Sequence, residues 1–354
     1  MKKRRPTPDE IADLINLPGP AASTAGADQG PRTIEVTQIE LFELNPRLGR
    51  NPKYEEIEAS IRKSGIEQPI VVTQRPDQVA EDRFTVWGGG NTRVEIAQRL
   101  LAETGDDKYR YVTAWVRPWT NAGDALAAHL KENDLRGNLT LVERALAVDR
   151  LRRLIEEERG ETLSQRELAK ALAEKGYRVV RERLGLYRYV VDTLYPAIPE
   201  ALKAGLGIPQ AETLRRLDRV FRQAWRLLEV DGGDDTAAAE IFRARLERLD
   251  PDIDPDILRR DLEAELWTAV DDWPAGVLSM LIGYLLEGRD EAEIRAWIEE
   301  RENEPDPFGD DDQASEPTGQ ETETGPVTSP VAPSPATTEE TTEPPAAGPA
   351  SAGA

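Results

Sequence analysis

Apolar side chains near the start of the folded chain are spaced as in short strands and helices. Residues 33–41 alternate apolar and polar side chains, which predicts one half-buried strand before the Asn45-Pro46-Arg47 turn. Residues 54–63 have a helical pattern and stop before Gly65, a typical helix end. Further strands are predicted for three runs rich in β-branched and aromatic residues, at 69–73, 83–87 and 109–116.

The chain from residue 122 to residue 301 has the apolar spacing of helices. Long helices are predicted over 122–137 and 141–158. Ser164 and Glu167 have capping-box spacing, which predicts the start of a helix that ends at Gly176. A second helix over about 179–194 follows a short turn, so the pair has the sequence shape of a helix-turn-helix. Shorter helices are predicted at 200–203 and 211–228, with about three more within 235–301.

These patterns predict the fold class. We expect an α+β N-terminal domain, then an all-α helix-turn-helix bundle, an acidic helical C-terminal block and a disordered tail. The Pro, Thr, Glu and Ala composition after residue 301 supplies too few large apolar side chains to fold. The predicted division is a flexible segment at 1–32, an α/β domain at 33–137, a helix-turn-helix domain at 138–230, an acidic helical domain at 231–301 and the tail at 302–354.

Composition removes several kinds of catalytic chemistry. The 354 residues include no Cys and one His, so disulfides, thiolate nucleophiles and Cys-based metal sites are excluded. The single imidazole, His129, has no second His or Cys with which to share a metal, and a packed or surface histidine is the expected role. The longest apolar runs are shorter than the roughly 18–20 residues of a membrane span, so we expect a cytoplasmic protein with no membrane partner.

The net charge of −22 is unevenly distributed along the chain. Residues 1–230 hold 37 basic and 35 acidic residues, a net charge of +2. Residues 231–301 and 302–354 each carry −12. The first 230 residues are therefore compatible with a polyanionic partner such as DNA, although the whole chain is acidic.

A glycine turn has the shape of an anion site. Gly88-Gly89-Gly90 directly follows a predicted strand and opens a helix, where unpaired N–H groups and the positive helix end point at one place. Arg93 adds a guanidinium suited to phosphate. The spacing is neither a Walker A loop nor a full G-x-G-x-x-G. A purely structural tight turn is the alternative interpretation.

Two further clusters carry candidate chemistry. Glu132 and Asn133 offer hard oxygen ligands within one turn of Arg136, a set suited to a Mg²⁺-nucleotide. A solvated helix end is the alternative interpretation.

Residues 175–189 carry a net charge of +4 with tyrosines among the arginines, which favours DNA binding over a solvated basic helix of an adaptor protein. The candidate DNA-binding residues are Gln165, Arg166, Tyr177, Arg178, Arg181, Arg183 and Arg188.

Four motifs in order resemble the ParB family of plasmid and chromosome partition proteins. Asn45-Pro46-Arg47-Leu48-Gly49-Arg50, Gly65-Ile66-Glu67-Gln68-Pro69-Ile70, the glycine turn with Arg93, and Glu132-Asn133-x-x-Arg136 are similar to that family's N-P-x-Q-P-R, G-[VI]-x-Q-P-I, G-E-R-R and E-N-x-x-R elements. The similarity spans about residues 33–225. The G-G-N-T-R and A-H-L-x-E-N-x-x-R-G variants look most like the ParB-type proteins of integrating conjugative elements.

The resemblance implies a CTP and Mg²⁺ cofactor pair that closes a clamp on DNA. By resemblance, Glu132 and Asn133 would lie near the metal and the 65–69 segment near the base. The implied nucleotide-binding residues are Arg50, Gly65, Gln68, Pro69, Gly89, Gly90, Asn91, Thr92, Arg93 and Arg136. It also implies a centromere-like site on double-stranded DNA, a nucleoid-associated location, a ParA-type ATPase as partner and a homodimer.

The chain departs from the family pattern where hydrolysis is expected. If Gly90 matches the first glycine of G-E-R-R, Asn91 replaces the glutamate and Thr92 the first arginine. We therefore expect no catalytic residues and at most weak CTP hydrolysis. Two other functions remain open: a ParB-like metal-dependent nuclease, for which Glu132 is the only well-placed carboxylate, and a nucleotide-independent transcriptional regulator.

Overall fold

A five-stranded mixed sheet forms the first part of the computed structural model, which describes residues 31–137, 139–270, 273 and 275–302. The strands are β1 (Arg32–Glu35), β2 (Ile39–Glu40), β3 (Ile70–Gln74), β4 (Phe84–Val86) and β5 (Tyr111–Pro118), in the spatial order β1-β5-β3-β4-β2. β1 pairs with β5 and β3 with β4 in antiparallel register, whereas β3–β5 and β2–β4 are parallel.

Helices α1 (Tyr54–Ser64) and α2 (Asn91–Thr104) cover one face of this sheet. Ile61 from α1 and Leu100 from α2 belong to one buried cluster with Val72 and Ala114 of the sheet. This core accounts for the predicted alternation, because inward positions of each strand are apolar.

The predicted single strand over 33–41 is wrong. A 3₁₀ turn, Val36–Gln38, interrupts it, and β1 and β2 lie at opposite edges of the sheet. The Gln38 side chain ties this turn in place: it accepts the Glu35 N–H at 3.3 Å and donates to the Asp82 carbonyl oxygen at 3.2 Å. Ile34, Val36 and Ile39 are all buried, so alternation fails between Val36 and Ile39.

An all-helical region follows the sheet. Its helices are α3 (Ala122–Arg136), α4 (Leu141–Arg159), α5 (Gln165–Glu174), α6 (Arg181–Tyr189), α7 (Tyr195–Ala197), α8 (Pro199–Ala204) and α9 (Ile208–Leu227). A π-helical turn, Val190–Leu194, joins α6 to α7. The predicted capping box of Ser164 and Glu167 begins α5. The predicted order of strands followed by helices is therefore confirmed.

The acidic block consists of four helices within the described residues: α10 (Thr236–Leu249), α11 (Pro255–Ala269), α12 (Ala275–Glu287) and α13 (Glu291–Glu302). Buried side chains of this block, such as Leu266 and Leu281, share one hydrophobic cluster with Phe221 of α9 and Leu151 of α4. The block therefore packs on the helical bundle.

The chain divides into two compact units at Glu299, and almost all of the second unit lies outside the described residues. The segments predicted to be disordered, 302–354, and flexible, 1–32, also lie outside the described residues, except for residues 31, 32 and 302. None of the helices in the described part of the chain is long and apolar enough to cross a membrane.

Candidate functional site

Three segments that are distant in sequence line one open pocket of about 330 Å³. They are residues 65–68 after α1, residues 89–93 at the start of α2, and His129 to Arg136 on the last two turns of α3. A fourth segment, the loop between β2 and α1, adds Arg47, Asn51 and Lys53. The pocket thus lies where the start of one helix faces the end of another.

The glycine turn brings backbone and a carboxylate unusually close together. A Cβ at Gly89 would overlap the carboxylate of Glu132, so a side chain at this position would displace that carboxylate. Gly90 has φ +117°, a left-handed conformation, and a Cβ there would lie 3.2 Å from Ile70 Cγ2. Within the described chain no side chain caps α2, so its first N–H groups are left for the pocket.

Two arginines and one glutamate bring charge to the part of the pocket between α2 and α3. Arg136 Nη2 lies 2.6 Å from Glu132 Oε1, and Arg93 Nη1 donates to the Gln68 carbonyl oxygen at 3.0 Å. Burial raises the pKa of Glu132, against the opposing effect of Arg136 and Arg93. Burial and the nearby charge of Arg136 lower the pKa of Arg93, which as a guanidinium stays charged. The Glu132 carboxylate occupies the place beside the glycine turn that an anionic ligand would enter.

Asn91 is held by the backbone of a neighbouring segment. Its Oδ1 accepts the Phe42 N–H at 3.2 Å and its Nδ2 donates to the Phe42 carbonyl oxygen at 3.1 Å. Thr92 Oγ1 accepts a hydrogen bond from Asn51 Nδ2 at 3.3 Å. Both residues line the pocket, but their polar atoms fasten the start of α2 to the loop after β2.

Asn133 is positioned by its own helix and by Arg47. Its Nδ2 donates to the His129 carbonyl oxygen at 2.8 Å, and its Oδ1 lies 3.4 Å from Arg47 Nη2. Glu143 of α4 fixes the Arg47 loop, because its Oε1 accepts the Leu48 N–H at 2.9 Å. Sequence reasoning did not select Arg47, Asn51 or Lys53, although Arg47 stands within the first quoted motif.

Two predicted nucleotide-binding residues lie outside the pocket lining. Arg50 stacks over the Tyr54 ring, 3.7 Å from its centroid, and forms an ion pair with Glu55 at 2.8 Å. Pro69 is exposed at the start of β3. The structure therefore gathers eight of the ten predicted residues: Gly65, Gln68, Gly89, Gly90, Asn91, Thr92, Arg93 and Arg136.

His129 is a packed core residue, the first of the two roles that the sequence analysis left open. Its ring stacks on Phe42 with centroids 4.5 Å apart, and Nε2 lies 3.4 Å from the Val86 carbonyl oxygen. Burial lowers the pKa of His129 to about 4, so the imidazole is neutral at pH 7.

The donor set fits a magnesium ion only together with a ligand that brings its own oxygens. No group of three or more Asp, Glu or His side chains in the described residues is arranged to hold a metal. Glu132 and Asn133 supply one carboxylate and one amide, and Mg²⁺ typically combines one or two carboxylates with waters and substrate phosphates. The pocket therefore suits a metal bound with a polyphosphate.

The helices α5 and α6 present a basic surface. Gln165, Arg166, Arg178 and Arg181 are exposed. Two other predicted residues of this set have acidic neighbours: Arg188 Nε lies 3.1 Å from Asp192 Oδ2, and Arg183 Nη1 lies 3.8 Å from Glu212 Oε1.

Tyr177, also a predicted DNA-binding residue, is buried. It is 5% exposed, and its hydroxyl donates to Asp134 Oδ2 at 2.7 Å. Burial, together with this carboxylate, raises the pKa of Tyr177. Lys175 Nζ lies 2.8 Å from Asp124 Oδ1, so the turn between α5 and α6 is bonded to α3 at two places. Tyr177 holds this turn against the helix of the pocket.

Comparisons with known proteins give structural likenesses alone. No protein-family model and no curated protein sequence matches the chain. A Pnob8-like ParB-N domain is 14% identical, with 66% of this chain and 97% of that chain covered and a TM-score of 0.41. The C-terminally truncated chromosome-partitioning protein ParB from Caulobacter crescentus is similar in two complexes. With the centromeric parS site it is 16% identical over 76% of this chain and 99% of its own (TM-score 0.30), and with CTP-gamma-S it is 21% identical over 66% and 99% (TM-score 0.25). These scores are too low to bear on function.

Proposed function

We propose that this chain is a DNA-binding partition protein of the ParB type, in which CTP bound with Mg²⁺ in the pocket controls how the α5–α6 surface holds DNA. One observation carries the proposal. Residues 65–68, the glycine turn and the Glu132 motif, which the sequence resemblance assigns to a nucleotide, all line one pocket.

The chemistry of the pocket supports a triphosphate. The uncapped start of α2 offers N–H donors and the positive end of the helix dipole. Arg93 and Arg136 add guanidinium groups on two sides, and Lys53 adds a third cation at the rim. By resemblance, the base would lie toward Gly65 and Gln68, which also line the pocket. A triphosphate would pair with these cations, and the lining also holds the carboxylates of Glu56, Glu67 and Glu132.

Glu132 and Asn133 are the residues that would hold the metal. When bound, Mg²⁺ neutralises phosphate charge beside the Glu132 carboxylate. Without the metal, the Glu132 carboxylate repels phosphate from the glycine turn and keeps Arg136 paired. We infer that nucleotide binding depends on the metal chiefly through this carboxylate.

The same geometry argues for binding without efficient hydrolysis. Asn91 stands where the family pattern has its glutamate, and both ends of its amide are bonded to Phe42. An amide held in this way does not accept a proton from water, and it does not orient a water molecule toward a phosphate. The nucleotide therefore acts as a bound regulator, released mostly intact.

The α5–α6 surface supports duplex DNA as the second ligand. Arg178 and Arg181 are exposed at the turn and at the start of α6, a position from which arginines reach base edges or phosphates. A homodimer, a ParA-type ATPase partner and a place on an integrating element remain predictions from the resemblance.

Calorimetric titration of the full chain with each of the four ribonucleoside triphosphates and Mg²⁺ tests the pocket. We expect selective binding of CTP, lost in Arg93→Ala and Arg136→Ala. Arg83→Ala is the matched control, because Arg83 is an arginine of the same domain that lies outside the pocket and pairs with Glu40 at 2.9 Å. Absence of binding for all four nucleotides, with and without DNA, would overturn the proposal.

A further inference from the structure

A groove on the helical bundle joins the α5–α6 surface to a third helix. Gln165 at the start of α5, Arg181 and Arg188 of α6, and Arg215 of α9 line this groove of about 600 Å³. α9 lies outside the helix pair in sequence, so no helix-turn-helix pattern includes Arg215. The groove opens on the same surface as the exposed arginines of α6.

Gly185 forms the floor of the groove in the middle of α6. A helix-interior glycine costs about 1 kcal/mol relative to alanine, so its presence requires a reason. Its φ lies outside the left-handed range, and an added Cβ would meet only Arg215 Nη1 and Gln165 Nε2, each at 3.7 Å. Neither backbone conformation nor crowding demands glycine here. What the missing side chain leaves is space between two hydrogen-bond donors, each 3.7 Å from the position that a Cβ would occupy.

The charges around this niche favour an oxyanion. Arg215 and Arg181 are exposed, and across the described residues no carboxylate forms an ion pair with either. Two acidic residues also line the groove: Asp192, which is paired with Arg188 at 3.1 Å, and Glu182. Three arginines against two carboxylates leave the groove cationic. The groups that face the niche from both sides, a guanidinium and a side-chain amide N–H, are donors that suit phosphate oxygens.

We propose that the niche over Gly185 binds one backbone phosphate of duplex DNA, held by Gln165 from α5 and Arg215 from α9. Arg181 stands one helical turn before Gly185 on the same face of α6. A duplex laid along this face of α6 would reach both Arg181 and the niche. The DNA site then includes three helices, and Arg215 fixes the position of the α6 arginines on the duplex. This inference rests on the proposed function, since it requires the α5–α6 surface to bind DNA.

The test is the salt dependence of DNA binding by the full chain, measured by fluorescence anisotropy. The probe is a labelled duplex that the wild-type protein enriches from a random library. Arg215→Ala should reduce the slope of log K against log salt by about 0.9, the value for one lost phosphate contact. It should also weaken binding about tenfold. Arg219→Ala is the matched control: it removes the same charge one turn further along α9, outside the groove.

Gly185→Ala separates the niche from general charge. Its methyl group fits beside Arg215 and Gln165 at ordinary contact distance, and alanine favours the helix. We expect an unchanged or higher melting temperature together with weaker DNA binding. Equal effects of Arg215→Ala and Arg219→Ala, or wild-type DNA binding by Gly185→Ala, would overturn the inference while leaving the proposed function intact. If the wild-type protein enriches no duplex, the proposed function itself fails.

Discussion

Replacement of Asn91 by alanine is the sharpest test of how the glycine turn is held. The side chain makes two hydrogen bonds to Phe42, one to its N–H and one to its carbonyl oxygen. Phe42 is 1% exposed, and its carbonyl oxygen also accepts the Asn45 N–H at 3.2 Å. Truncation therefore leaves the Phe42 N–H without a partner, whereas the carbonyl oxygen keeps one.

The expected loss follows from this difference. A buried N–H left unpaired costs about 1–3 kcal/mol, and the second hydrogen bond contributes about 0.5–1.5 kcal/mol. We expect Asn91→Ala to lower the free energy of unfolding by about 2–3 kcal/mol. Because the same bonds hold the start of α2 against the loop after β2, nucleotide affinity should fall as well.

Urea denaturation monitored by circular dichroism measures the change in stability. Thr92→Ala is the matched control, since it removes one hydrogen bond, at 3.3 Å, from the next residue of the same turn. Its expected cost is below about 1 kcal/mol. A loss for Asn91→Ala no larger than that for Thr92→Ala would refute the assignment of Asn91 to a structural role and reopen a catalytic one.

Three further predictions concern the tyrosine, the basic surface and the pocket carboxylate. Tyr177→Phe should lower the free energy of unfolding by about 1.5–3 kcal/mol, because it removes a hydrogen bond to the Asp134 carboxylate. The DNA affinity of the folded protein should stay unchanged. A specific loss of DNA affinity would show that Tyr177 belongs to the DNA interface. Arg178→Ala and Arg181→Ala should each weaken duplex binding by about 1–3 kcal/mol with relaxed sequence preference; uniform weakening across sequences would make them phosphate contacts. The raised pKa of Glu132 means that the folded state binds its proton more tightly than the unfolded state, so this residue lowers stability as pH rises above about 4. As the pH rises above about 4, the free energy of unfolding of Glu132→Gln should therefore increase relative to that of the wild type. Stability curves of the two proteins that run parallel with pH would contradict this prediction.

Local chemistry explains what the sequence predicted well. The capping box at Ser164 and the glycines at 88–90 act within a few residues, so their turns and helix starts follow from short segments. The order of the four motifs likewise predicts the pocket residues, and eight of the ten nucleotide-binding residues that it implies line one pocket.

Contacts between residues that are distant in sequence explain the features that the sequence did not predict. The break at Val36–Gln38 depends on Asp82, 44 residues from Gln38, and the burial of Tyr177 depends on Asp134, 43 residues away. The role of Asn91 likewise depends on Phe42. Arg50 was placed in the pocket by its motif, yet Tyr54 and Glu55 hold its guanidinium elsewhere. In each case the local sequence pattern is compatible with several partners for the side chain, and contacts with distant residues determine which one it has.

The coupling between the two ligands is the central claim, and one measurement tests it directly. Calorimetry gives the affinity for CTP with Mg²⁺ in the presence and absence of a saturating duplex, and anisotropy gives the affinity for that duplex with and without the nucleotide. If the pocket controls the DNA surface through α3, each ligand must change the affinity for the other by the same factor. Two affinities that are each independent of the other ligand would show that the pocket and the basic surface act separately, and would contradict the account.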